Sequence, residues 1–128
     1  FGYVRSYNRG SNVSSSSRVL GKNMQNAGIT RPANTAAHHL VAGNDPRAAL
    51  ARSILAREGI GINNTVNGVF LPKNLSVPNP GGATVHSIIH TKVYYEAITN
   101  ELLNAAPGTV GDVLIDIGQR VSGGVFPY

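Results

Sequence analysis

The chain has 128 residues, a formal net charge of +5 and no cysteine. That length supports one domain with a modest core and leaves no room for two. The absence of cysteine rules out a disulfide framework and any thiolate zinc site, and no run of residues approaches the roughly 18 apolar positions of a membrane span.

Only 13% of residues are charged and 41% are hydrophobic. Gly, Asn, Ser and Thr fill much of the remainder, which predicts long ordered loops. The charge is unevenly placed. Residues 1–75 carry nine Lys/Arg against Asp45 and Glu58, a net of +7, and residues 76–128 carry Lys92 and Arg120 against Glu96, Glu101, Asp112 and Asp116, a net of −2. A basic half suits a polyanion such as nucleic acid, although the same charge also serves solubility. A start at Phe1 rather than Met leads us to expect a piece cut from a longer protein.

Residues 1–17 are polar and close on Ser14-Ser15-Ser16-Ser17, the pattern of a flexible lead-in or linker, so residues 18–128 are expected to form the domain. Val19 to Ala27 suits a short helix, with Ser17 as N-cap and Gly28 as its left-handed stop. A loop, Thr30–Asn34, leads to Thr35–Val41, a short apolar run carrying two histidines and expected to be extended. Asn44-Asp45-Pro46 is a capping residue followed by proline at the first helical position, and predicts a helix through Glu58 that stops at Gly59. Its Arg47, Arg52 and Arg57 are five apart, fan round the helix and are expected to be mostly solvated.

Asn67-Gly68 is a turn signal opening a strand, Val69–Leu71, which Pro72 ends. After a Pro/Gly/Asn-rich loop from Lys73 to Gly82, Thr84 is expected to cap the longest helix, running to about Asn104. Val85, Ile88, Ile89, Ala97, Ile98 and Leu102 supply its helical spacing. Pro107-Gly108 breaks the chain before a last helix, Thr109 to about Val121. The pattern predicts a mainly helical α+β domain whose small sheet is a hairpin of Thr35–Val41 with Val69–Leu71.

The chain's four histidines form two pairs, adjacent His38-His39 and His86/His90 four apart. Adjacent residues of a strand point to opposite faces, so one ring can hold a metal while the other points elsewhere. An i,i+4 pair on a helix shares one face. Together they suggest three ligands and one spare imidazole, the inventory of a small metal-dependent nuclease. Ser87 stands where a metalloprotease of the HExxH type needs its glutamate, and a zinc deaminase needs cysteines; both readings fail. The plainer alternatives are a surface pair on a helix, and a strand with one ring buried and the other exposed.

Ala37-His38-His39, preceded by Gly28-Ile29-Thr30-Arg31-Pro32 and followed by Asn67-Gly68-Val69-Phe70-Leu71-Pro72 and by His86-Ser87-Ile88-Ile89-His90-Thr91-Lys92-Val93-Tyr94-Tyr95, resembles the AHH branch of the HNH/endonuclease VII superfamily, a set of toxin nucleases. The resemblance runs from about Val19 to Leu103. It implies a β-hairpin and helix wrapped round a single divalent metal ion, with zinc, nickel or magnesium as candidates. By similarity to colicin-type DNases, His38, His86 and His90 would be metal ligands and His39 the general base. Asn67 would brace the hairpin behind that base, with Asn63, Asn64 and Asn74 as competing candidates. Residues 40–66 separate His39 from Asn67, a longer path than the compact motif.

The resemblance further implies a DNA endonuclease at the C-terminus of a secreted bacterial toxin. It would be delivered by contact-dependent or type VI machinery, act in the target-cell cytoplasm and be neutralised by an immunity protein. The parent toxin polypeptide would lie N-terminal, with no membrane anchor in this domain. Arg31, Lys73 and Lys92 are candidates to hold phosphates, against the plainer reading of solvated lysines. The competing functions are a ribonuclease toxin and a non-enzymatic nucleic-acid-binding domain with an inert structural metal.

Overall fold

The computed structural model of the chain describes residues 14–128. The expected flexible lead-in therefore lies outside the described residues as far as residue 13. The end of the serine run belongs to the domain: Ser16, not Ser17, caps helix α1 (Ser17–Asn26), its hydroxyl accepting from the Val19 N–H at 3.1 Å. Gly28, at φ 92°, turns the chain in the left-handed conformation expected of it.

Strands β1 (Thr35–His39) and β2 (Gly68–Pro72) form one antiparallel two-stranded sheet, with Thr35 opposite Pro72, Ala37 opposite Phe70, His38 opposite Val69 and His39 opposite Gly68. β1 ends at His39 instead of reaching Val41. The Leu40 N–H still bonds the Asn67 carbonyl at 2.8 Å, but Val41 is then taken by the Asn67 side chain, which accepts from its N–H at 2.8 Å and donates to its carbonyl at 3.1 Å. An amide side chain has replaced the partner strand.

Between the strands, Asp45 caps a 3₁₀ turn, Pro46–Ala48, that leads into helix α2 (Ala49–Arg57), and Gly59 (φ 71°) ends it. Helices α3 (Lys92–Leu103) and α4 (Val110–Ser122) complete the α+β domain. The long helix expected from Thr84 does not form. Thr84 is buried and its hydroxyl caps nothing; the chain instead makes a 3₁₀ turn at His86–Ile88 and starts α3 only after Thr91, whose hydroxyl accepts from the Tyr94 N–H at 3.1 Å. Two threonines competed for the cap, and the one whose helix buries Tyr94, Ile98 and Leu102 prevailed.

The hairpin is covered on both faces. On one, Leu20 and Met24 of α1 pack against Ala37 and Phe70. On the other, Val69 and Leu71 join a larger core with Ile54, Leu55, Ile98, Leu102, Leu114 and Ile117. Strand alternation therefore sends His38 towards α3 and His39 towards the α1 side.

Helix α1 sits so close to β2 that a Cβ built on Gly68 would lie 2.6 Å from Met24 Sδ and 2.7 Å from Leu20 Cδ1. The Gly68 backbone is ordinary extended chain (φ −131°), so the constraint is purely steric. We expect Gly68→Ala to force the buried Met24 and Leu20 side chains to repack and to cost about 1–3 kcal/mol in urea unfolding; an unchanged midpoint would refute the tight fit.

Candidate metal centre

His38 is buried on β1, His86 is half-buried in the 3₁₀ turn, and His90 is exposed in the turn before α3. The hairpin and two turns bring together rings far apart in sequence. His38 Nδ1 and His86 Nδ1 are 3.2 Å apart, and one ring nitrogen from each of His38, His86 and His90 lies within 4.8 Å of the others. The rings meet edge-on, with centroid separations of 5.1, 5.4 and 4.8 Å. Two imidazole nitrogens each about 2.0–2.1 Å from one ion stand roughly 3 Å apart. The 3.2 Å pair meets that requirement, and a His90 ring nitrogen within 4.8 Å of both is the third donor. The donor set therefore fits a divalent ion of the zinc or nickel type. The expected i,i+4 pairing on one helix face is not how His86 and His90 meet; a 3₁₀ turn and a cap do the work instead.

Charge favours ligation. Burial pushes the His38 pKa well below the ordinary 6.5, with His86, His90 and His39 adding to the effect. Burial likewise lowers His86 and His90; Asp45 works against it at His90, and Arg47 with it. Neutral imidazoles offer lone pairs without first giving up a proton.

His39 lies on the other side of β1, half-buried. Its Nε2 is 2.8 Å from Asn63 Oδ1 and 3.3 Å from Ser15 Oγ. The Asn63 amide is itself pinned: its Nδ2 donates to the Ser14 carbonyl at 2.9 Å and its Oδ1 accepts from the Ser16 N–H at 3.0 Å. The oxygen thus faces His39, so Nε2 carries the hydrogen and Nδ1 keeps its lone pair. Burial lowers the His39 pKa, and the Asn63 bond partly offsets that. Asn67 does not touch His39. It is fully buried and ties Val41 to the Ile62 carbonyl, to which it donates at 2.9 Å. Two asparagines divide what the sequence expectation gave to one: Asn67 holds the exit of β1, and Asn63 holds the imidazole. Asn64 caps a 3₁₀ turn and Asn74 holds Ser76 in an exposed loop.

The basic candidates spread out. Arg31 donates to the Thr35 carbonyl at 3.0 Å and lies over Phe70, while Lys73 follows Pro72. Lys73 occupies the end of the hairpin opposite His39, about 10 Å along the strand from His38, while the Arg31 guanidinium reaches back over Phe70 on the α1 face. Lys92 is exposed at the start of α3 beside His90, within 3.9 Å of Glu96. Arg47 is exposed, as expected, but it also forks onto Asp45 (Nε 3.0 Å, Nη2 2.8 Å) and lies 4.3 Å above the Tyr95 ring, close enough to His90 to influence it. Tyr94, unmarked in the sequence reading, places its hydroxyl 2.8 Å from His38 Nε2. A signal existed: Tyr94 falls in register with Ile98 and Leu102, a hydroxyl on an otherwise apolar stripe.

Residues 19–109 match a nuclease family of the HNH/ENDO VII superfamily with conserved Ala-His-His, which here is Ala37-His38-His39. The chain belongs to the AHH nuclease family. No curated protein and no solved structure matches it. An AHH nuclease acts on nucleic acid by hydrolysis, and this one has three histidines able to hold a metal ion. Among the described residues no helix is long and apolar enough to cross a membrane.

All four histidines have folded pKa values below 6.5. Below about pH 6.5 the unfolded chain therefore binds more protons than the native state. Stability of the metal-free nuclease is then full above that pH and is lost as pH falls through it. The exposed Asp45 carboxyl, held at about 2 by Arg47, has its effect well below this window. We expect the urea midpoint of chelator-treated protein to be lower at pH 5.5 than at pH 7.5; a flat or rising midpoint on acidification would contradict neutral buried histidines.

Proposed function

We propose that this AHH nuclease is a metal-dependent DNA endonuclease, the toxin domain of a secreted bacterial effector that acts in the target-cell cytoplasm. The observation that carries the reading is the convergence of His38, His86 and His90, with the neighbouring residue His39 held in a defined tautomer on the other side of β1. The cluster grades from buried His38 to exposed His90, so it is open on one side. Three ligands with an open side suit catalysis, whereas a closed four-ligand site suits a structural metal.

In this reading His38, His86 and His90 hold the ion, which when bound supplies positive charge to a phosphodiester oxygen and to the leaving oxygen. His39 is the general base, taking a proton from water at Nδ1 while Nε2–H stays on Asn63 Oδ1. Asn63 fixes that ring, and Asn67 holds the strand end from which both histidines project. Lys92 serves a phosphate near the cluster; Arg31 and Lys73, further up the hairpin, serve flanking phosphates that position the strand without reading its sequence. The net +7 of residues 1–75 supports a polyanionic substrate and an immunity partner that is acidic where it meets them. DNA is chosen over RNA on the resemblance to colicin-type DNases.

The test is to incubate purified protein with zinc, nickel, magnesium or manganese and offer supercoiled plasmid and total RNA side by side. We expect plasmid nicking that a chelator abolishes. His39→Ala should slow it by roughly 10²–10⁴-fold with metal binding retained, and His38→Ala should lose the metal. Cleavage of RNA alone would replace DNA as substrate. Bound metal with neither polymer cut would leave a structural centre, and His39→Ala cleaving within about threefold of the parent would remove the base role.

A further inference from the structure

Tyr94 is fully buried and its hydroxyl has two neighbours, His38 Nε2 at 2.8 Å and the Leu40 carbonyl at 2.8 Å. A phenol has one hydrogen to donate. The carbonyl can only accept, so the hydrogen goes to Leu40 and the phenol oxygen faces His38 as an acceptor. His38 Nε2 must then be the protonated nitrogen. That leaves a bare lone pair on Nδ1, the atom 3.2 Å from His86 Nδ1. The opposite assignment would leave the buried Leu40 carbonyl without its donor and place a hydrogen on the nitrogen that faces the cluster.

We propose that Tyr94 is a positioning residue for the metal centre: through its hydroxyl it locks His38 in the Nε2–H tautomer and aims Nδ1 at the ion. This rests on the metal-binding reading above and adds the residue that makes His38 a ligand. Geometry around the hydroxyl is stiff. The Thr91 cap fixes the Tyr94 backbone one turn from His90, and Phe126 and Tyr95 meet the Tyr94 ring edge-on at 5.9 and 5.5 Å. Outer-shell partners of this kind orient a ligating imidazole and raise its basicity.

The experiment has two parts. On the metal-free parent at pH 7.5, ¹⁵N NMR of the imidazoles should show His38 protonated at Nε2 and bare at Nδ1; a hydrogen on Nδ1 overturns the proposal whatever the variants do. Zinc affinity is then measured by competition with a chelating dye for the parent, Tyr94→Phe and Phe126→Leu. Tyr94→Phe keeps the ring and removes the hydroxyl, and should bind zinc roughly 10–100-fold more weakly, with the His38 tautomers mixed. Phe126→Leu loosens the packing round the same ring without touching the hydroxyl. It should lower the melting temperature while leaving the tautomer intact and zinc affinity within about twofold. Equal affinity and an unchanged tautomer in Tyr94→Phe would refute the role. A parent that binds no zinc would instead overturn the metal reading, and the tautomer measurement would still decide the question for Tyr94.

Discussion

The Asn67 side chain is the contact on which the rest of the site depends. From one fully buried amide it receives the Val41 N–H and donates to the Val41 and Ile62 carbonyls, while its own backbone carbonyl takes the Leu40 N–H. It thereby welds the exit of β1 to the entry of β2 across a long excursion through α2. Were it lost, the buried N–H and carbonyl of Val41 and the half-buried Ile62 carbonyl would each lose a partner. The chain at Leu40 would also be free to move, and with it the carbonyl that decides which way the Tyr94 hydroxyl points. His38 and His39 are the two residues immediately before this weld. Fold and chemistry are joined there.

The cluster is built from neutral groups. No carboxylate belongs to the three-histidine set, and Asp45, the acid that bears on His90, is bound to Arg47. A buried neutral imidazole costs far less than a buried charge, which lets His38 sit in the core beside Tyr94. Three neutral ligands would leave a divalent ion its full charge for a phosphodiester, whereas carboxylate ligands would cancel part of it. The basic half of the sequence then adds to a field that already favours polyanions.

His39 shows a different economy. Its ring is fixed through Asn63, and Asn63 is fixed by the backbone of Ser14 and Ser16. The same Ser16 caps α1, and Ser17 donates to the Ala37 carbonyl at 2.6 Å. The segment entering α1 therefore does two jobs, starting a helix and holding the polar wall behind His39. Gly43 keeps room for it, since a Cβ there would collide with the Ser15 side chain. A serine run that looked like linker is, from Ser14 onward, a strap across one side of the site.

What the sequence determined was local. Asp45-Pro46 starts a helix because cap and fixed φ act within one turn, and Gly28 and Gly59 end helices because only glycine takes a positive φ without cost. The Ala-His-His motif marked the family, and the few histidines narrowed the candidate ligands, since ligand chemistry depends on residue type. Tertiary structure decided everything that needed a choice between equals. Thr84 and Thr91 are both sound caps, and only burial of Tyr94, Ile98 and Leu102 against the rest of the core selected Thr91. Asn63 and Asn67 are the same side chain four residues apart, and only the fold sends one to an imidazole and the other to a strand end. Each of these outcomes hangs on contacts between residues far apart in the chain, and one-dimensional patterns of caps and periodicity carry no term for them.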